Sequence, residues 1–315
     1  VIVAGIDLGT NTTRLLVADV TGGTLEELHR ETRITRLGEG VDARGRLLPT
    51  PIARVRNVLS DYRRTAESLG AERALLIATS AVRDAENGEA LLGEIEWSYG
   101  FATRLLTGDD EAALMRRGVA AGRALDEGTL LLDIGGGSTE LSAGGFHESL
   151  ELGSVRHTER FLYADPPEPE ELAACAAAVR SVLAERVPEH LVGSIHDAVG
   201  VAGTVTTLAA LDLGLAAYER DRVHGHRLSL AGARRQLERL ARLPLARRRE
   251  VPALEPERAP VIVAGAIILV AVLEHAGLDA VEVSEHDILD GAALAAAELP
   301  EPGQGAAPPG AYTCC

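Results

Sequence analysis

The stretch Gly5-Ile6-Asp7-Leu8-Gly9-Thr10-Asn11-Thr12-Thr13-Arg14-Leu15 returns later in the chain as Leu130-Leu131-Leu132-Asp133-Ile134-Gly135-Gly136-Gly137-Ser138-Thr139-Glu140-Leu141, at a constant offset of 126 residues. Asp7 matches Asp133, Gly9 matches Gly135, Thr12 matches Ser138, Thr13 matches Thr139 and Leu15 matches Leu141. An internal repeat of this length points to duplicated architecture. Each copy reads as a β-hairpin whose glycine-rich turn follows an apolar strand ending in a carboxylate.

Such a turn lets backbone N–H groups approach a phosphate without side-chain interference, and serine or threonine adds hydroxyl donors. The aspartate before the turn suits a divalent cation, because hard cations prefer oxygen ligands. One such loop can equally be a tight structural hairpin. Two equivalent loops, with a third Gly-Thr turn at Gly203-Thr204, favour phosphate chemistry.

Around the loops, apolar runs alternate with helical patterns. Leu75–Thr79 reads as a buried strand, and residues around Phe101–Leu106 as another. Helices are expected from about Pro51 to Leu69, near Gly88–Ile95, and from Thr107 to about Ala124. In the second half, Ser149–Leu152 is strand-like and a helix ends near Arg186. The stretch from Ala198 is an apolar strand entering the Gly203-Thr204 turn. Helices follow at Leu230–Leu243 and Pro260–Ala276, then a strand at Val281–Ser284 and a last helix over Asp287–Leu299. This alternation indicates an α/β fold. The expected domains are 1–124, with the final helix 287–299 packing back on it, and 125–286, followed by a disordered tail over 300–315.

At 315 residues the chain suits two domains. The apolar run Val261–Leu273 is shorter than the ~20 residues a bilayer span needs and reads as a buried helix. Asp7 interrupts the N-terminal apolar stretch, so a signal peptide is not expected and the cytoplasm is the expected location. Cys175 stands alone in an Ala-rich helical stretch and Cys314-Cys315 end the tail, so neither a disulfide framework nor metal-ligand spacing is present.

The net charge of −16 excludes broad nucleic-acid binding, which needs a basic face. The chain has no lysine, so all 31 basic residues are arginine and a Walker A loop is excluded. Phosphate must then be held by backbone N–H groups, arginines and metal ions. Arginines concentrate at Arg54–Arg64 and Arg234–Arg258, either as solvated helical faces or as tracks for a polyanion.

The spans Ile6–Thr12, Ala78-Thr79-Ser80-Ala81-Val82-Arg83-Asp84-Ala85, Thr107-Gly108-Asp109-Asp110-Glu111-Ala112, Asp133–Glu140, Leu152-Gly153-Ser154-Val155-Arg156 and Gly203-Thr204-Val205-Thr206-Thr207 together resemble the exopolyphosphatase / guanosine-pentaphosphate phosphohydrolase family. The resemblance covers roughly residues 1–298. It implies two ribonuclease-H-like domains of the actin/hexokinase/Hsp70 superfamily with an active cleft between them. It also implies metal-dependent release of the terminal phosphate of inorganic polyphosphate, or hydrolysis of guanosine pentaphosphate (pppGpp).

By position, the resemblance makes Glu111 the base toward the attacking water and Glu140 a second active-site carboxylate. Asp7 and Asp133 would hold Mg²⁺ or Mn²⁺, and Arg83 would clamp a phosphate. Thr10, Asn11, Gly135, Gly136, Gly137, Ser138, Gly203 and Thr204 would supply phosphate-cradling donors. The chain has Asp110-Glu111 where the family commonly has two glutamates, so Asp110 is an alternative base or a helix cap. His224-Gly225-His226 lacks a third ligand and reads as a surface turn. A homodimer is the expected assembly, with neither nucleic acid nor membrane as partner. Two further readings compete: a non-catalytic sensor of these polyphosphates, and a phosphotransferase of the same superfamily.

Overall fold

The computed structural model describes residues 1–300. The tail expected to be disordered lies, apart from Pro300, outside the described residues, as do Cys314 and Cys315. The chain divides into two compact units, the first comprising Val1–Arg123 and the chain from His286 onward, the second Ala124–Glu285.

In the first unit, β1 (Ile2–Leu8), β2 (Thr12–Thr21), β3 (Thr24–Ile34), β4 (Arg73–Ala78) and β5 (Ala102–Leu105) form a sheet of order β3-β2-β1-β4-β5. β1 and β4 are nearly continuous apolar runs and occupy the centre, paired in parallel and buried. β2 is antiparallel to both β1 and β3. β3 did not announce itself in the sequence, because its residues Thr24-Leu25-Glu26-Glu27-Leu28-His29-Arg30-Glu31-Thr32-Arg33-Ile34 are mostly charged or polar. That composition suits an exposed sheet edge, where charged side chains discourage pairing with another chain.

The helix Pro49–Ser68 covers this sheet with Val55, Leu59, Tyr62 and Ala66, spaced three or four residues apart on one face. The Tyr62 hydroxyl donates to the Thr13 carbonyl at 2.8 Å, which ties that face to β2. The final helix, Ile288–Ala296, packs against β1 and the helix Gly108–Ala120. The approach is so close that a Cβ on Gly118 would overlap the Asp287 carbonyl, and one on Gly291 would overlap the Leu114 carbonyl. Only glycine fits at either place.

The second unit repeats the plan. Its strands are β6 (Thr129–Ile134), β7 (Thr139–Ala143), β8 (Phe146–Leu150), β9 (Asp197–Val201), β10 (Arg227–Ser229) and β11 (Ala280–Val283), in the order β10-β11-β9-β6-β7-β8. The run β8-β7-β6-β9-β11 has the order of β3-β2-β1-β4-β5, with matching antiparallel and parallel pairings for the strands of the repeated hairpin and its neighbour. This is the ribonuclease-H-like plan twice over, in an α/β protein. β10, three residues long, adds an antiparallel edge that the sequence does not signal.

The helix Ile262–His275 has every residue from Ile262 to Leu273 buried, so the longest apolar run of the chain is core. Each large side chain there contributes about 1.5–3 kcal/mol through removal from water. Among the described residues no helix is long and apolar enough to cross a membrane.

Candidate active site

In the first unit the chain leaves β1 after Asp7-Leu8 and turns through Gly9-Thr10-Asn11 into β2. The Gly9 amide closes the turn on the Thr12 carbonyl at 3.0 Å. The outward carbonyls are taken from behind: Asn11 accepts from the amides of Thr35 (3.0 Å) and Arg36 (2.9 Å), and Thr10 accepts from Gly38 (2.8 Å). The amides of Thr10 and Asn11 have no partner among the described residues. A buried polar group normally finds a partner, and here the donors of the turn are the groups left over.

The second unit builds its turn alike. The Gly135 amide bonds the Ser138 carbonyl at 2.9 Å. The Gly135 carbonyl accepts from Ser154 N–H (2.9 Å), and the Gly136 carbonyl from Val155 (2.9 Å) and Arg156 (3.1 Å). The Gly137 carbonyl accepts from Arg156 Nε at 2.8 Å. Behind the turn, the start of the helix Ser154–Phe161 thus acts as a brace that consumes every carbonyl from Gly135 to Gly137. The amides of Gly136, Gly137 and Ser138 have no partner among the described residues. Gly153 lets the brace come this near, because a Cβ there would overlap the backbone of Gly136 and Gly137. Successive free N–H groups in a loop whose carbonyls are already bonded can cradle an anion.

Hydroxyls in this turn are engaged elsewhere. Ser138 Oγ donates to Glu140 Oε1 at 2.6 Å, and Ser149 Oγ donates to the same oxygen at 3.0 Å. Thr204 Oγ1 donates to the Ile134 carbonyl at 3.1 Å, which ties the third turn to the second. The polypeptide enters the Thr204 helix, Ala202–Asp212, through Ala202 at φ 60°, a left-handed conformation uncommon for a residue with a Cβ. This helix begins without a side-chain cap.

Glu111 sits in the first turn of the helix Gly108–Ala120, buried at 4% side-chain exposure. Arg83, 29% exposed, closes the short helix Ser80–Arg83 and donates from Nη1 to Glu111 Oε1 at 2.5 Å and to the Leu106 carbonyl at 2.8 Å. The same short helix begins at Ser80, whose Oγ lies 2.9 Å from Thr10 Oγ1. One segment therefore connects the first turn to the Glu111 carboxylate. Asp110 is held apart from this contact. It completes a capping box, with Oδ2 accepting from the Thr107 amide (3.0 Å) and hydroxyl (2.7 Å). The hydroxyl bond, then the amide bond, hold its pKa below the ordinary value.

The two turns differ at one matched position. Across β1 and β2, Asp7 pairs in register with Arg14; across β6 and β7, Asp133 pairs in register with Glu140. Arg14 donates from Nε and Nη2 to Asp7 Oδ2 at 2.9 and 2.6 Å, and from Nη1 to Asp287 Oδ2. Asp7 Oδ1 is buried and has no hydrogen-bond partner among the described residues. Burial raises the pKa of Asp7, with Arg14 opposing that shift. Among the described residues no cluster of three or more His, Cys, Asp or Glu side chains has metal-holding geometry.

Sequence reading missed Arg14 and Arg258 as site residues. The Arg258 guanidinium lies where a Cβ on Gly203 would be; its Nη2 donates to Glu255 Oε2 at 3.2 Å, while Nε is buried without a partner. No local motif marks either arginine. Much of the two arginine segments is spent on ion pairs: Arg54 with Glu39, Arg56 with Glu94, Arg63 with Glu67, Arg64 with Asp61, Arg234 with Glu274, Arg235 with Asp212 and Arg247 with Glu250. Arg248 is buried and donates to the carbonyls of Leu240, Leu243 and Ala259. These contacts favour the solvated-face reading over tracks for a polyanion. The His224-Gly225-His226 turn is also bonded locally: His224 Nδ1 accepts from the Glu285 amide at 3.2 Å, and His226 lies 3.2 Å from Asp212.

A model of the Ppx/GppA phosphatase family matches residues 16–296. Exopolyphosphatase 2 of Mycobacterium tuberculosis is 41% identical over 315 residues, covering 94% of this chain and 98% of the relative. A crystal structure of an exopolyphosphatase-like protein superposes with a TM-score of 0.85 at 34% identity, covering 92% of this chain and 97% of that one. A Ppx/GppA member from Aquifex aeolicus gives 0.78 at 30% identity, covering 93% and 96%.

Proposed function

The chain belongs to the Ppx/GppA phosphatase family, and we propose that it hydrolyses the terminal phosphoanhydride of inorganic polyphosphate, releasing orthophosphate. The observation that carries this reading is the row of unpartnered amides at Gly136, Gly137 and Ser138, with the loop's carbonyls consumed by the brace. Successive free donors favour a ligand with several anionic oxygens, and a phosphoryl group supplies them. Relatives at this level of identity bear the name exopolyphosphatase, which supports the choice of substrate.

Phosphoryl transfer to water asks a protein for little covalent chemistry and much charge placement. Glu111 accepts the proton of the attacking water. Its ion pair with Arg83 holds the buried carboxylate in place. The Arg83 guanidinium, partly open to solvent, brings its positive charge to the phosphoryl oxygens. In the second unit the turn amides at Gly136–Ser138 hold phosphate oxygens, and the uncapped start of the Thr204 helix adds further donors at Gly203 and Thr204; in the first unit the Thr10-Asn11 turn offers donors of the same kind.

A divalent cation, Mg²⁺ or Mn²⁺, fits Asp133 and Glu140. These are two carboxylates directly across an antiparallel pair, and they would supply oxygen ligands to such an ion. When bound, such an ion would neutralise charge on the transferred phosphoryl group.

The test compares orthophosphate release from polyphosphate and from pppGpp with Mg²⁺ present, using wild type and Glu111→Ala. Release from polyphosphate that collapses in Glu111→Ala supports the proposal. Cleavage of pppGpp alone rejects the substrate, and binding of either compound without turnover rejects hydrolysis in favour of a sensor.

A further inference from the structure

The duplication that built the two turns has placed opposite charges at one equivalent position, Arg14 in β2 and Glu140 in β7. Each faces the aspartate that ends the preceding strand's approach to its turn. In the second unit the pair is two carboxylates. In the first it is a carboxylate and a guanidinium, joined by two hydrogen bonds to one oxygen of Asp7.

We infer that Arg14 is the fixed cation of the first turn, so that Asp7, despite its repeat match to Asp133, takes no divalent metal. The inference rests on reading the turns as phosphate cradles, and it assigns the divalent cation to the second unit alone.

The local charge balance decides between the two cations. Arg14 is shared by Asp7 and Asp287, which together leave one net negative charge. That residual charge is already met: Asp287 caps the final helix, and its Oδ1 accepts from the Leu289 amide at 2.8 Å. Carboxylates at a helix N-terminus are favourably placed against the helix dipole. A doubly charged ion beside Asp7 would sit next to a guanidinium that cannot lose its proton, and the local sum would turn positive. Arg14 already occupies Oδ2 of Asp7, which leaves the buried Oδ1, without a hydrogen-bond partner among the described residues, as its one remaining acceptor. A water or a donor of the ligand satisfies it with less conflict.

The geometry is also specific to arginine. Its fork serves two carboxylates on different elements, β2's own neighbour β1 and the N-terminus of the final helix, some 273 residues away in sequence. Fixing the carboxylate of Asp7 in this way holds the entry to the Gly9–Asn11 turn without an exchangeable ion.

The experiment titrates Mn²⁺ into the metal-free full chain without substrate and reads free ion by electron paramagnetic resonance. Binding is thus scored independently of hydrolysis, and failure here leaves the phosphate-release assay to judge the function. Asp7→Asn is expected to keep the wild-type Mn²⁺ affinity within about twofold. Arg14→Gln, which leaves Asp7 and Asp287 facing each other, is expected to bind one more Mn²⁺ than wild type, whereas Arg14→Lys binds the same number. Loss of tenfold or more in affinity in Asp7→Asn overturns the inference. So does an unchanged Mn²⁺ count in Arg14→Gln. If Asp7→Asn fails to fold, the contrast between Arg14→Gln and Arg14→Lys decides alone.

Discussion

Gly153→Ala tests whether the brace behind the second turn sets the direction of its amides. The added Cβ would overlap the carbonyl oxygen of Gly136 and the carbonyl carbon of Gly137, both backbone atoms with no rotamer to escape into. Ordinary carbon contacts lie near 3.5 Å, so brace and turn must part by roughly 1 Å. A hydrogen bond of 2.9 Å lengthened by that much is lost, and the bonds from Ser154 and Val155 to Gly135 and Gly136 are of that length. With its carbonyls released, the turn no longer aims the Gly136, Gly137 and Ser138 amides together. Each amide bond to an anionic oxygen is worth about 1.5–3 kcal/mol. Loss of one, or partial loss of two, removes ~2–4 kcal/mol, which is about 30- to 1,000-fold in kcat/KM. Overpacking at the site also lowers stability by about 1–3 kcal/mol. Phosphate-release kinetics and thermal melts on the same preparations separate the two effects. Gly145→Ala is the control, since a Cβ there meets nothing within 4 Å. Full activity in Gly153→Ala, or a loss no larger than the unfolded fraction explains, would refute the reasoning.

Glu111→Gln should lower kcat by about 10²- to 10⁴-fold with little change in KM, as expected for removal of a general base. Asp110→Asn should instead cost roughly 0.5–2 kcal/mol of stability through its capping box and spare turnover, which melts and steady-state kinetics will show. Arg248→Met strips the donors from three buried carbonyls at Leu240, Leu243 and Ala259 and should destabilise the fold by ~3–5 kcal/mol in urea denaturation. Asp290 is buried, which opposes its charge, but hydrogen bonding from His286, the Arg30 charge and the Asp287 neighbourhood outweigh burial and hold its pKa below the ordinary value. A depressed folded-state pKa gives stability that is present above the unfolded value near 4 and lost as pH falls through the folded value. Asp290→Asn should therefore flatten the acid limb of the stability–pH curve, and an unchanged acid limb would reject that assignment.

The local features of this protein were legible because they are written within a few residues. The repeated turns and the buried helix Ile262–His275 each depend on neighbours in sequence. β3 was not legible. A strand at an exposed edge is held by backbone pairing with β2, and its charged side chains carry no period-2 apolar pattern. Asp110 and Glu111 illustrate the boundary between the two cases. Both carboxylates are visible in the sequence, but only the capping box and the Arg83 contact separate their environments.

The sequence by itself determined that the chain carries two glycine-rich turns, each after a strand that brings in an aspartate, in duplicate α/β units, because turn chemistry and apolar periodicity are local properties. Tertiary structure decided what stands behind and beside those turns. Gly38 and Gly153 reach back to turns far upstream, and Arg14 joins Asp7 to Asp287. These contacts reach across a strand or more, and Arg14–Asp287 spans nearly the whole chain, so their energies depend on strand register and helix placement rather than on local turn chemistry. For the same reason two aspartates that look alike in the repeat sit in opposite electrostatic settings, one facing an arginine and the other a glutamate.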